Sequence, residues 1–138
     1  LQWIDVRDLA AWTVTSAAAG PEGIFNVVSE PVRMDEFAAA CRDVTQSDAS
    51  LTWIPREQLA AADLTAATAA PMWIADTDVI DTGKARTAGL VTRPLRTTLA
   101  DVLAGDTARG GLPAGGEGLS AELEDSLLDC RTYVKPEA

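Results

Sequence analysis

The 138-residue sequence contains no histidine. That excludes the commonest general base, the Ser-His-Asp and Cys-His catalytic arrangements, and most zinc sites. Any chemistry within these residues would rest on carboxylates, Lys, Tyr, Ser or Cys. Basic residues are also scarce: 11 Lys plus Arg stand against 21 Asp plus Glu, for a formal charge of -10. Nucleic acid and anionic membranes are held by cationic side chains, so neither is expected as a partner. No apolar run approaches the roughly 18 residues of a membrane span, and no basic-then-apolar segment of the signal type is seen. The only cysteines, Cys41 and Cys130, lack a metal-type spacing. Thiols this sparse, without a secretion signal, are expected to stay free in a reducing, cytoplasmic compartment.

What is present suffices for one ordinary domain. Hydrophobic residues make up 47% of the chain, enough to bury a modest core rather than leave it disordered. The alternation in Gln2–Val6 predicts a strand, and Asp8 is placed to cap a helix running through Ala19. That helix would cover its core face with Leu9, Trp12 and Ala17. After a turn at Gly20–Gly23, the apolar run Ile24–Val28 predicts a second strand. Met34, Phe37, Ala38, Cys41 and Val44 recur at helical spacing, with Asp35 and Glu36 favouring a helix start. Leu51–Pro55 alternates as a third strand, and Arg56–Leu64 reads as a short helix with Pro55 at its first turn. Thr65–Asp78 has no clear period and is taken as a loop anchored by Met72, Trp73 and Ile74. Asp81–Leu90 predicts one or two helical turns closed by Gly89, and Thr92–Gly105 a further amphipathic helix. Five glycines in the 13 residues from Asp106 to Gly118 predict a flexible linker, and Leu119–Cys130 returns to helical spacing.

Strands alternating with helices predict an α/β fold with partly parallel strands. Three strands and no glycine-rich first turn make it incomplete. The expected architecture is a Rossmann-like fragment with a small helical or mixed substrate-binding lobe. Residues 1–104 would form that part, 105–118 the linker and 119–138 a helical tail. A chain opening inside a strand-to-helix unit, "LQWIDVRDLAAW", is expected to be the interior of a longer protein.

Three segments carry a family resemblance. "QWIDVRDLAAW" resembles a strand-to-helix unit of the extended short-chain dehydrogenases/reductases, the NAD-dependent epimerase/dehydratase family. "GIFNVVSEPVRMDEFAAAC" resembles the family's next unit, and "DTGKARTAGLVTRPLRTTLADVL" its closing segment, in which D-x-x-K-A precedes G-L and P-L. They occur in the family's order and span about Gln2 to Leu103. The resemblance implies the substrate-binding C-terminal region of an NAD(P)-dependent epimerase, dehydratase or reductase, acting on a small-molecule substrate. It also implies a missing N-terminal half that binds the dinucleotide. The family's glycine-rich turn and Tyr-x-x-x-Lys pair are absent: Tyr133 is followed by Lys135 at the wrong spacing. No catalytic residue and no bound cofactor are therefore expected in this chain, while NAD or NADP would serve the parent protein.

Four substrate-binding candidates follow, namely Asp8, Met72, Trp73 and Arg93. In open α/β sheets ligands bind beyond the carboxyl ends of strands, which puts the turn around Arg7 and Asp8 on the ligand side. Met72 and Trp73 sit in a loop of the kind that lines pockets, and Arg93 resembles a position near which relatives hold anionic groups. The bland readings are a helix cap for Asp8, satellite core for the loop and a surface ion pair for Arg93. Relatives acting on sugar nucleotides often carry an Arg where this sequence has Leu1, which weighs against such a substrate. Lys84 is expected to cap or salt-bridge. An unpaired strand edge and an uncovered apolar face would favour a homodimer. The rival to the enzyme reading is a non-catalytic sensor or interaction domain on the same scaffold.

Overall fold

The computed structural model describes residues 1–61, 79–111 and 119–129. Its elements are all helical: α1 (Val6–Ala19), α2 (Met34–Thr45), α3 (Arg56–Ala61), α4 (Gly83–Thr87), α5 (Leu95–Ala108) and α6 (Ala121–Asp129). The expected α/β fragment is thus overturned, since none of the described residues forms a strand. Two units are separable, one comprising Leu1–Asp48 with Asp78–Gly110 and the other Ala49–Thr77 with Gly111–Ala138.

The reason the sheet fails is visible at the first two predicted strands. Leu1 and Val32 exchange backbone bonds, with Leu1 N donating to Val32 O at 2.6 Å and Val32 N to Leu1 O at 2.8 Å. Ser29 N also donates to Trp3 O at 2.5 Å. Two residues on one segment thus span three on the other, so the pairing is out of step after one bond. No regular ladder follows among these residues, and side chains link the segments instead. Ser29 Oγ accepts from Trp3 N at 3.2 Å. The Gln2 amide donates to Ile80 O at 2.9 Å and to Ser29 O at 3.0 Å, while its oxygen accepts from Ile80 N at 2.8 Å. Asn26 Nδ2 reaches Asp81 O, and Lys84 Nζ reaches Ile24 O at 3.0 Å while standing 4.3 Å above the Phe25 ring. Non-helical, apolar segments lie where strands were expected, and side-chain amides, a hydroxyl and an ammonium tie them together. The third predicted strand, Leu51–Pro55, likewise forms no ladder.

In the first unit the core gathers Trp12, Ala85 and Leu90, with Ile4, Phe25, Val27 and Ala88 packed against them. Trp12 meets Phe25 edge-on at 5.7 Å between centroids, the arrangement aromatic quadrupoles prefer. Ala85 is fully buried, so α4 approaches the core as closely as a helix can. Gly89 then adopts a φ of 98° and lets Leu90 N bond back to Ala85 O, turning Leu90 inward. Helix α2 packs on α5, with Arg96 paired to Asp43 across them and Trp3 beside Phe37 at 6.1 Å. Helix α5 also continues through Gly105 to Ala108, past the residue where glycine content suggested a linker. In the second unit, α3 begins directly after Pro55, whose carbonyl accepts from Gln58 and Leu59. Leu127 of α6 is buried.

Candidate functional site

The most organised polar constellation lies where the N-terminal ends of α1 and α5 meet. It starts with helix capping. Asp5, not Asp8, is the N-cap of α1: its Oδ1 accepts from Arg7 N at 2.9 Å. The Arg7 side chain folds back on the same carboxylate, with Nε to Oδ1 at 2.9 Å and Nη2 to Oδ2 at 2.7 Å. Thr98 Oγ1, from the first turn of α5, donates to Asp5 Oδ2 at 2.9 Å, and Arg7 Nη1 reaches Asp101 Oδ2 at 2.6 Å. Capping and inter-helix docking therefore use one carboxylate.

One turn along α1, Asp8 receives three bonds from a single residue. Arg93 N donates to Oδ2 at 2.8 Å, and Arg93 Nε and Nη2 donate to Oδ1 at 2.8 and 2.6 Å. Arg93 Nε also stands 3.5 Å from Asp5 Oδ2. The side chains of Asp5 and Asp8 are 4% and 11% exposed and that of Arg93 25%, so water does little of the solvation. Bidentate, charge-assisted bonds of this kind offset the cost of burying the carboxylates.

Protonation follows from these contacts. Bonds from Arg7 hold Asp5 well below the usual carboxylate range, with Thr98 helping and burial opposing. Bonds from Arg93 lower Asp8 in the same way, again against burial, and the two guanidinium groups are raised in return. A general base works best near the ambient pH. Carboxylates pinned this firmly in the ionised form are poor proton acceptors, so the cluster suits charge-holding and positioning. Burial raises the Cys41 thiol, which makes it a weak nucleophile. Among the described residues no group of three His, Cys, Asp or Glu side chains could hold a metal ion. No helix among them is long and apolar enough to cross a membrane.

Of the four sequence candidates, Asp8 and Arg93 are brought into direct contact, and Met72 and Trp73 lie outside the described residues. Lys84 serves as a carbonyl cap on Ile24. Sequence reasoning put Arg7 on the ligand side without a partner, gave Asp5 no capping role, and passed over Thr98 and Asp101. For Asp5 a signal existed: Asp-Val-Arg-Asp has the acidic spacing of a capping box, which favours the first Asp over the second as the cap. Thr98 and Asp101 carry no such signal, because only the docking of α5 beside α1 gives them partners. Comparison of the chain with protein-family models, curated proteins and solved structures finds no match.

Proposed function

We propose that this chain supplies the substrate-facing region of an NAD(P)-dependent reductase, epimerase or dehydratase of the cytoplasm. A separate polypeptide segment would contribute the dinucleotide and the proton-transfer pair. One observation carries the reading. The three segments that resemble the epimerase/dehydratase family are far apart in sequence, yet residues from all three assemble one core and one cluster. Ile4, Asp5 and Asp8 come from the first segment, Phe25, Val27 and Ser29 from the second, and Ala85, Leu90 and Arg93 from the third. Of the motif letters, Asp8 gains an ion-pair partner in this way, and Phe25, Ala85 and Leu90 gain packing partners. In this reading the Asp8–Arg93 pair fixes the entry to α5, and an anionic substrate would reach Arg93 through the quarter of its side chain left exposed.

The second reading, a non-catalytic interaction or sensor domain, is favoured by a specific feature of the same cluster. Asp8 and Arg93 bind each other through three hydrogen bonds, which already employs the groups a substrate would need. The coding DNA upstream separates the two. A glycine-rich turn after a predicted strand, followed by Tyr-x-x-x-Lys in the same reading frame, is expected for the enzyme. An upstream sequence with neither would favour the interaction domain. Calorimetric titration of the 138-residue chain alone with NAD and NADP should give no saturable heat, and micromolar binding would sink the proposed division of labour.

A further inference from the structure

The apolar core of the first unit draws on α1, α4 and the segments around residues 4 and 25–27, and among the described residues neither α2 nor α5 contributes to it. Helix α5 has no buried residue along its 14 positions. Its close neighbour is α2, in which Ala40 is buried and Asp43 pairs with Arg96. These two helices therefore pack as a pair beside the core rather than in it. What ties the pair to α1 is polar. Thr98 Oγ1 donates to Asp5, Arg7 reaches Asp101, and Arg93, just before α5, closes on Asp8. The aromatic contact of Phe37 with Trp3 lies one turn into α2, near its covalent root, because Trp3 is also bonded to Ser29 just upstream.

A seam of this composition parts at low cost. Separating apolar surfaces returns hydrocarbon to water, whereas separating these carboxylates and guanidinium groups returns ions to the solvent that hydrates them best. The lost bonds and the recovered hydration nearly offset one another. The Arg7–Asp101 pair is already about half exposed on both sides, and such pairs hold weakly. Parting also leaves the layer beneath intact. Asp5 keeps its bond from Arg7 N, so it goes on capping α1 after Thr98 leaves. Trp12, Phe25, Ala85 and Leu90 remain packed on each other. Between Leu90 in the core and Pro94 at the start of α5 the backbone is not helical, and Val91 is 79% exposed. That stretch, with the root of α2, can act as the pivot. Few buried apolar contacts and a polar boundary are the marks of a segment that opens locally while the rest stays folded.

We infer that α2 and α5 form a latch, undocking as one body from the core of α1 and α4 along this charged seam, and that undocking gates the Arg93 guanidinium. Closed, the group is held by Asp8. Open, its donors are free for an anionic ligand. The latch would serve an enzyme and an interaction domain alike, so it stands apart from either reading of function. Native-state hydrogen exchange of the full chain is the test. Amides of α2 and α5 should share one opening and exchange at least about tenfold faster than those around Trp12 and of Leu90. Thr98→Val keeps the side-chain shape and removes the bond to Asp5. It should speed α2 and α5 together by about tenfold, the usual weight of a bond to a charged group, and leave the amides around Trp12 and of Leu90 unchanged. A dicarbonyl reagent selective for guanidinium groups, read by peptide mass mapping, follows Arg93 directly. Its labelling should rise by the same factor in Thr98→Val, while exposed Arg86 stays as it was. Equal exchange in α1, α2 and α5 would overturn the latch, and so would α2 and α5 answering Thr98→Val separately. Arg93 labelling as fast as Arg86 in the wild type, or indifferent to Thr98→Val, would overturn the gating.

Discussion

The two sides of α1 invert the usual arrangement of an amphipathic helix. Its buried side carries two carboxylates and one indole, and its exposed side carries two valines, a leucine and alanines. The difference shows that burial in this chain follows available partners rather than side-chain polarity. Asp5 and Asp8 are inside because Arg7, Arg93 and Thr98 satisfy them there. Val6 and Val14 are outside because α4 and the segments at residues 4 and 25–27 already fill the other side around Trp12.

The sharpest way to break the contrast is at its apolar centre. Trp12→Ala removes the ring that meets Phe25 and should cost about 3–5 kcal/mol, the range for truncating a buried aromatic residue. Urea unfolding monitored by circular dichroism measures it, and a loss under about 1 kcal/mol would mean that Trp12 is not the core of this unit.

A smaller loss is expected from the ionic half of the buried side. Asp8→Leu leaves the Arg93 guanidinium without its main acceptor, and Arg93→Met leaves a buried carboxylate without its side-chain donors. Each should destabilise. The double variant Asp8→Leu/Arg93→Met should be less destabilised than the two losses summed, because no unpaired charge remains. Strict additivity in that cycle would show that the pair contributes nothing as a pair.

Acidity probes the same pair without substitution. Both Asp5 and Asp8 are lowered in the folded state, first by their Arg partners. The unfolded chain therefore binds protons more readily than the folded one below the ordinary carboxylate value, about 4. Stability from these groups is fully present above that pH and is lost progressively as pH falls below it. Asp8→Asn should flatten this slope, and an unchanged slope between about pH 5 and pH 2 would assign the acid sensitivity to other carboxylates.

These contrasts also mark what could be read in advance. Helices α2, α4 and α5 were legible because apolar spacing, Asp35 and Glu36 at a first turn, and Gly89 at a helix end are all local signals. Residues 2–5 and 24–28 were expected to be strands and form none. Whether apolar segments become a sheet depends on register between residues about 30 apart, which no local signal sets. The face assignment of α1 held for Trp12 and failed for Leu9 and Ala17, for a related reason. Leu9 and Ala17 share a helical repeat with an apolar face, yet Asp8 and Trp12 repeat just as well. Only the tertiary position of Arg93, 85 residues from Asp8, decides between the two faces. Asp8 and Arg93 were each singled out, but nothing local to either announces that they bind one another.

Backbone conformation at the end of α1 supplies a modest effect. Gly20 closes the helix in the left-handed region at φ 69°, with its N–H donating to Ser16 O. Space is available there, as nothing lies within 4 Å of a would-be Cβ. Gly20→Ala should therefore cost only the conformational term, about 1 kcal/mol. At the end of α2, Gln46 already occupies the same region at φ 54°, so Gln46→Gly should stabilise by a comparable or smaller amount. Thermal melts of the two variants should move in opposite directions, and a Gly20→Ala melt at or above wild type would contradict the left-handed cap.

The smallest effect is expected on the exposed side of α1. Val14→Ala deletes two methyl groups that water already reaches, so little apolar burial is lost within one chain. Alanine is also the better helix former by several tenths of a kcal/mol, because valine gives up χ1 freedom against the preceding turn. At dilutions where the chain is monomeric, Val14→Ala should leave stability within about 0.5 kcal/mol of wild type, with any shift in the stabilising direction. Melts of wild type and Val14→Ala over a range of concentrations check this directly. A clear loss at dilution would mean that Val14 is buried within the chain itself, and the contrast between the two sides of α1 would fail with it.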